Sequence, residues 1–305
     1  MKQFGICVLL FCTINCLHAQ KTKDNSGFSR VVAQVDPRVE LMAILARMAG
    51  LGGYDSKVFK VYIADVEKHF AKDSLHPAVL HLKQLWKTSY PGYDAVMRMA
   101  IHLDYPSLNP KVKFSSTIPE PRWTKEGAEK FVPLLQQFFK ETNFDSFYRA
   151  HKNMYAIAES RFQVLLDQAD YDWFPRFYGY KPEGKFAVYL GLLNGSISYG
   201  PKVEYGNGRE EFYAIMANYK TDSSGMPVFD PGMLGTVVHE FNHSFINHLV
   251  INDSLSFKHA GEILHKQVKS QMERNYYPVW RITLFESLVR AAVLRYEMEH
   301  DSTGK

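Results

Sequence analysis

All three cysteines of the chain, Cys7, Cys12 and Cys16, lie at its very start, so no disulfide and no thiolate metal site can form beyond them. A fold without cross-links has to be stabilised by burying apolar surface. With 305 residues, 46% hydrophobic and 14% aromatic, the chain carries enough for a sizeable core. The cysteines themselves sit in an apolar run from Phe4 to Leu17, preceded by Lys2 and followed by "LHAQ", where Ala19 is the small residue before a cleavage point. This layout predicts a secretory signal peptide over residues 1–19. The run is shorter than the roughly 18 residues needed to span a bilayer and is interrupted by Thr13 and Asn15. Phe11 before Cys12 and Asn15 before Cys16 speak against lipidation. The expectation is an exported protein, periplasmic or secreted, that is not a lipoprotein and has no stable membrane insertion after cleavage near Ala19/Gln20.

Charge narrows the partners. Lys and Arg total 36 against 32 Asp and Glu, interspersed and without a basic run, which excludes nucleic acid as an expected partner.

Residues 20–28 are polar and read as a flexible segment, leaving 29–305 as the folded domain. "FSRVVAQV" alternates like a strand, and Asp36-Pro37 caps a helical pattern that stops at Gly50. Helical periodicity follows at about 56–71, 77–88 and 93–103. A Pro- and Ser-rich stretch then separates a helical N-terminal lobe, 36–140, from a second lobe, 141–305, that would carry the chemistry. Further helices are predicted at about 125–140 and 144–168. The aromatic cluster "YDWFPRFYGY" reads as packing. In "KFAVYLGLLNGSISYG", Asn194-Gly195 between two β-prone runs predicts a hairpin, and residues 211–219 a third strand. The fold class is therefore α+β, mostly helical with a small mixed or antiparallel sheet.

The chemistry concentrates in "GTVVHEFNHSFINHL", residues 235–249. Asp230-Pro231 reads as a helix start, and Val237, Val238, Phe241, Phe245 and Leu249 recur at helical spacing. At 3.6 residues per turn His239 and His243 stand on one face, near enough to share one Zn2+ ion. Glu240 is rotated off that face and can take a proton from water acidified by zinc. Two imidazoles need a third protein ligand. Ile246 and Leu249 exclude the HExxHxxGxxH form, so a downstream glutamate is required. Glu262 reads as a solvated residue with Lys266 on its own face. Glu286 shares a face with Ile282, Val289 and Val293, where a carboxylate must neutralise, pair or bind a metal, and is the favoured ligand. Arg290 offers it a structural partner instead. Candidate transition-state donors are Tyr276, Tyr277 and His265, between the ligand-bearing segments, and Tyr199, on the predicted hairpin.

"VVHEFNHSF" together with "FESLVRAAVLR" resembles the gluzincin peptidases, in which the HExxH helix supplies two ligands and a base and a later helix supplies a glutamate. These stretches and "VDPRVELMAILARMAG" are also similar to a family of exported bacterial proteins of unknown function with a metallopeptidase domain. The resemblance implies a zincin-like fold with the sheet beside the HExxH helix, His239, His243 and Glu286 on one zinc ion, Glu240 as general base, and a peptide or protein substrate. By the same analogy "NGSISYG" would be the edge strand that receives extended substrate. Two features depart from the pattern: the long gap from His243 to Glu286, with room for a loop over the cleft, and Arg290 where an aspartate would orient a ligand histidine. The alternative expectation is an exported zinc-containing protein without turnover, serving a glycan or protein partner through its aromatic cluster.

Overall fold

The computed structural model describes residues 30–179, 184–195, 197–274 and 279–300. The expected signal peptide, the segment 20–28, Tyr276 and Tyr277 lie outside the described residues. The first half is a strand and a stack of helices: β1 (Ala33–Gln34), α1 (Pro37–Met48), α2 (Lys60–Phe70), α3 (Pro77–Thr88), α4 (Asp94–Ile101), α5 (Lys125–Glu141), α6 (Phe144–Ala150), α7 (Lys152–Leu166) and α8 (Trp173–Tyr178). Strands β2 (Gly184–Gly191), β3 (Lys202–Glu204), β4 (Glu210–Ala217), β5 (Lys220–Thr221) and β6 (Pro227–Val228) follow, then α9 (Met233–Asn252), α10 (Ser254–Arg274) and α11 (Trp280–His300). This is the mostly helical α+β fold expected, and no helix among the described residues is long and apolar enough to cross a membrane.

Local chemistry explains several boundaries. The Asp36 side chain accepts from the Arg38 N–H, Pro37 takes the first helical position, and Gly50 leaves α1 at a φ of 73°. His76 caps α3 in the same way, accepting at Nδ1 from the Ala78 N–H before Pro77 opens the helix. The alternation before α1 is real, with Val31, Ala33 and Val35 buried and Val32 exposed.

The hairpin does not form. β2 pairs in parallel with both β1 and β4, and the main sheet runs β1-β2-β4-β3, with β3 antiparallel to β4. Only Gly195 of the expected turn pair has positive φ, at 63°, so the chain leaves the sheet there instead of folding back. It returns along the far edge of β4, where Tyr199 bridges Ile215. The physical reason is burial: β2 is apolar on both faces, as a central parallel strand requires, whereas a hairpin strand with one wet face would alternate.

Helices cover both faces of this sheet. Phe186 of β2 and Phe212 of β4 pack against Phe241 and Phe245 of α9. On the other face Tyr189 meets Arg38 of α1, and Tyr213 meets Lys111. The aromatic cluster of α8 is packing, as read: Trp173 and Phe174 are buried, and the Tyr178 and Phe245 rings stack with centroids 4.6 Å apart. The buried apolar residues form one cluster running from Val31 to Tyr296.

Candidate metal centre

The helix that carries the histidines starts later than its sequence suggests. Asp230 does not cap it; its carboxylate pairs with Lys220 at 2.7 Å, and α9 begins at Met233 after Gly232. Its apolar face, with Val237, Phe241 and Phe245, is pressed onto the sheet and α8, which turns His239 and His243 toward α11. The long gap between His243 and Glu286 is filled by the rest of α9 and by α10. Gly261, the buried residue of α10, lets that helix close on Trp280, since a Cβ there would stand 2.3 Å from the indole ring. The returning α11 packs along α9 and brings Glu286 to the histidine pair.

Three side chains converge. His239 Nε2 and His243 Nε2 are 3.1 Å apart, Glu286 Oε2 is 3.7 Å from the first, and Glu286 Oε1 is 3.5 Å from the second. Among the described residues these three form the group with metal-ligand chemistry. A tetrahedral ion with bonds of roughly 2.0–2.1 Å holds its donors about 3.3–3.4 Å apart; each ring nitrogen has a Glu286 oxygen near that distance, and one ligand atom from each side chain lies within 4.8 Å of the others. Burial, with His243 and Arg290 nearby, pushes the His239 imidazole down to about 3. Burial also lowers His243, against the opposing carboxylate of Glu286. Both rings are therefore neutral at pH 7 and present lone pairs. Asn247 Oδ1 lies 3.3 Å from His243 Nδ1, which places the ring proton on Nδ1 and frees Nε2. Two nitrogen donors and one carboxylate are the number and kind of protein ligands that a catalytic zinc takes, one fewer than a structural zinc.

Glu240 is on the same helix but off the triad. It is buried, and burial pushes its carboxyl up to about 8, with repulsion from Glu286 and Asp94 adding to the effect. A cation at the triad would pull it back down, since opposite charge favours the carboxylate. Gly200 makes this seat: a Cβ there would stand 2.4 Å from the Glu240 carbonyl oxygen and 2.9 Å from Oε2. The end of the "NGSISYG" segment thus does run beside the histidine-bearing helix, with Tyr199 along the edge of β4 and not as half of a hairpin.

The other candidates are placed as follows. Glu262 is half exposed on α10, 3.9 Å from Lys258, not Lys266, and away from the triad. His265 Nδ1 is 2.7 Å from Thr283 Oγ1, a bond between α10 and α11. Tyr199 pairs with Ile215, so its ring lies on the sheet face opposite α9. Burial, then Tyr54 and the charges of Asp94, Tyr93 and Glu240, set the environment of its hydroxyl, so Tyr199 still feels the base of the site.

Sequence reading missed a charged network whose field reaches the site. Asp94 on α4 lies between Arg98, at 3.1 Å, and Arg122, at 2.7 Å, and Arg122 also holds Glu120 at 2.7 Å. Burial alone would raise the Asp94 carboxyl, but the two arginines keep it below its usual range. Its charge reaches Glu240, and that of Arg98 reaches His243. No local signal links residues 94 and 240. Asn247 and Gly200 were findable: the one follows His243 by a helical turn, and the other is a glycine in an otherwise strand-like run.

The chain belongs to the family described as "Domain of unknown function (DUF4932)", which matches residues 31–303. No curated protein and no solved structure matches it.

Proposed function

We propose that this family member is an exported zinc metallopeptidase of the gluzincin type, hydrolysing peptide bonds with His239, His243 and Glu286 as ligands and Glu240 as general base. The observation that carries the reading is the convergence of two neutral imidazoles and one carboxylate at zinc-ligand spacing, with a second, buried carboxylate beside them. A zinc ion held there would supply Lewis acidity toward a peptide carbonyl and acidify water.

The chain's own residues do the rest. Glu240 takes a proton from the attacking water and returns it to the departing amine; its place in a buried pocket against Gly200 fixes its direction. Tyr199 spends both backbone groups on Ile215, so in an antiparallel ladder those of Ser198 and Gly200 turn outward, where an extended peptide could pair with them. Asn247 keeps His243 in the tautomer that can ligate.

The test is direct. The mature protein is expected to retain about one zinc per chain, by the coordination argument, and to cleave members of a mixed peptide library, while Glu240→Gln retains zinc and cleaves none. Zinc without cleavage by either form would refute the peptidase reading, and no zinc would refute the metal site. An N-terminus at Gln20 on the exported protein, read by mass spectrometry, tests export.

A further inference from the structure

Arg290 follows Glu286 by one turn of α11, with Nη2 3.5 Å from Glu286 Oε2 and a side chain 69% exposed. Among the described residues Glu286 is its ion-pair partner. That partnership cannot survive metal binding at full strength, because a carboxylate that ligates a divalent cation gives most of its charge to it. A guanidinium does not deprotonate and has donors only, in a fork that matches a carboxylate. With the triad loaded, Arg290 is, among the described residues, an exposed cation with no second carboxylate paired to it. The nearby charged network does not supply one: Asp94 is shared by Arg98 and Arg122, and Glu120 is held by Arg122. Arg98 adds further positive charge that acts on His243.

Resting on the peptidase reading, we propose that Arg290 receives a carboxylate of the substrate next to the scissile bond, so that peptides with an acidic group at that position are the preferred class. The carboxylate can be a free C-terminus or an Asp or Glu side chain. The contact is charge-assisted and partly exposed, and it is expected to favour the acidic peptide by about tenfold.

Binding and turnover are measured separately. The zinc-loaded Glu240→Gln protein is titrated calorimetrically with matched peptides that differ only in a C-terminal carboxylate or amide, or in an internal Glu or Gln. The charged member of at least one pair should bind about tenfold more tightly, the pair identifying the source of the carboxylate. Adding Arg290→Gln should erase that difference while zinc content, read by mass spectrometry, is unchanged, because removing a neighbouring cation does not weaken a metal site. A purely structural role would weaken both members of a pair equally. Equal binding within every pair, a preference that survives Arg290→Gln, or failure to load zinc would overturn the proposal. Wild-type cleavage of the same peptides separates the two readings. Cleavage without acidic preference rejects the recognition alone, and Arg290-dependent binding without cleavage rejects the peptidase alone.

Discussion

Replacing Glu40 by glutamine is expected to change the way stability depends on pH. Glu40 lies in the first turn of α1 with no exposed surface; its Oε1 accepts from the Leu192 N–H at 3.1 Å and its Oε2 from the Tyr62 hydroxyl at 2.7 Å. Burial pushes the carboxyl from 4.5 to about 7; the two hydrogen bonds oppose this and Asp36 adds to it. A raised carboxyl pKa means that the folded protein holds this proton more tightly than the unfolded chain does. The associated stability is complete below about pH 4.5, declines as pH rises, and is gone above about pH 7. At roughly 1.4 kcal/mol per pH unit that interval corresponds to about 3 kcal/mol, a large part of the 5–15 kcal/mol typical of a domain. Glutamine offers Leu192 an acceptor and the Tyr62 hydroxyl a donor, and it cannot ionise. From about pH 4.5 to 8, the stability difference should therefore move by about 3 kcal/mol in favour of Glu40→Gln. Urea unfolding of both metal-free proteins at stepped pH, at equal m, reads this as a pH-dependent gap between midpoints. Groups common to both proteins cancel in the difference. A gap that stays constant across this range would refute the reasoning. The anchor bears on the site, because Leu192 opens the turn from which the chain runs to Gly200 and Glu240.

Other perturbations separate the parts of the centre. Glu286→Ala should lose zinc affinity by far more than Glu262→Ala, measured by competition with a chelator; the opposite order would reassign the third ligand. Asn247→Ala should weaken zinc binding by about 10- to 100-fold while leaving the fold intact by circular dichroism, because it frees the His243 ring to turn and change tautomer; unchanged affinity would remove Asn247 from the site. Gly200→Ala, which forces a methyl into the Glu240 carbonyl, should reduce peptide cleavage more than zinc content. Equal loss of both would mean that the segment merely supports α9.

What the sequence revealed follows the range of the interactions involved. Caps and periodicity placed α3 at its observed bounds and put α1, α4 and α5 close to theirs, because those signals are local. The predicted helix at 144–168 is broken at His151 into α6 and α7, a break with neither Gly nor Pro to mark it. The hairpin failed because Asn194-Gly195 is a local turn signal, whereas β2 takes its partners from residues 33–34 and 210–217. Asp230 failed as a cap because a lysine ten residues earlier competes for it. In the site, the His239–Glu240–His243 spacing was legible from helix geometry, and Glu286 from a carboxylate set among aliphatics. Glu40 left the same kind of trace between Val39 and Leu41. The Asp94–Arg98–Arg122 network left none, since its effect on Glu240 and His243 acts between residues far apart in sequence.

The metal centre itself is tested most directly by loading the purified protein with zinc and reading stoichiometry and X-ray absorption together. The expected result is about one ion per chain, with nitrogen and oxygen donors at roughly 2.0–2.2 Å, two of them imidazoles, and a carboxylate contribution that disappears in Glu286→Ala. Failure to bind zinc, or a shell unchanged by that substitution, would contradict the account.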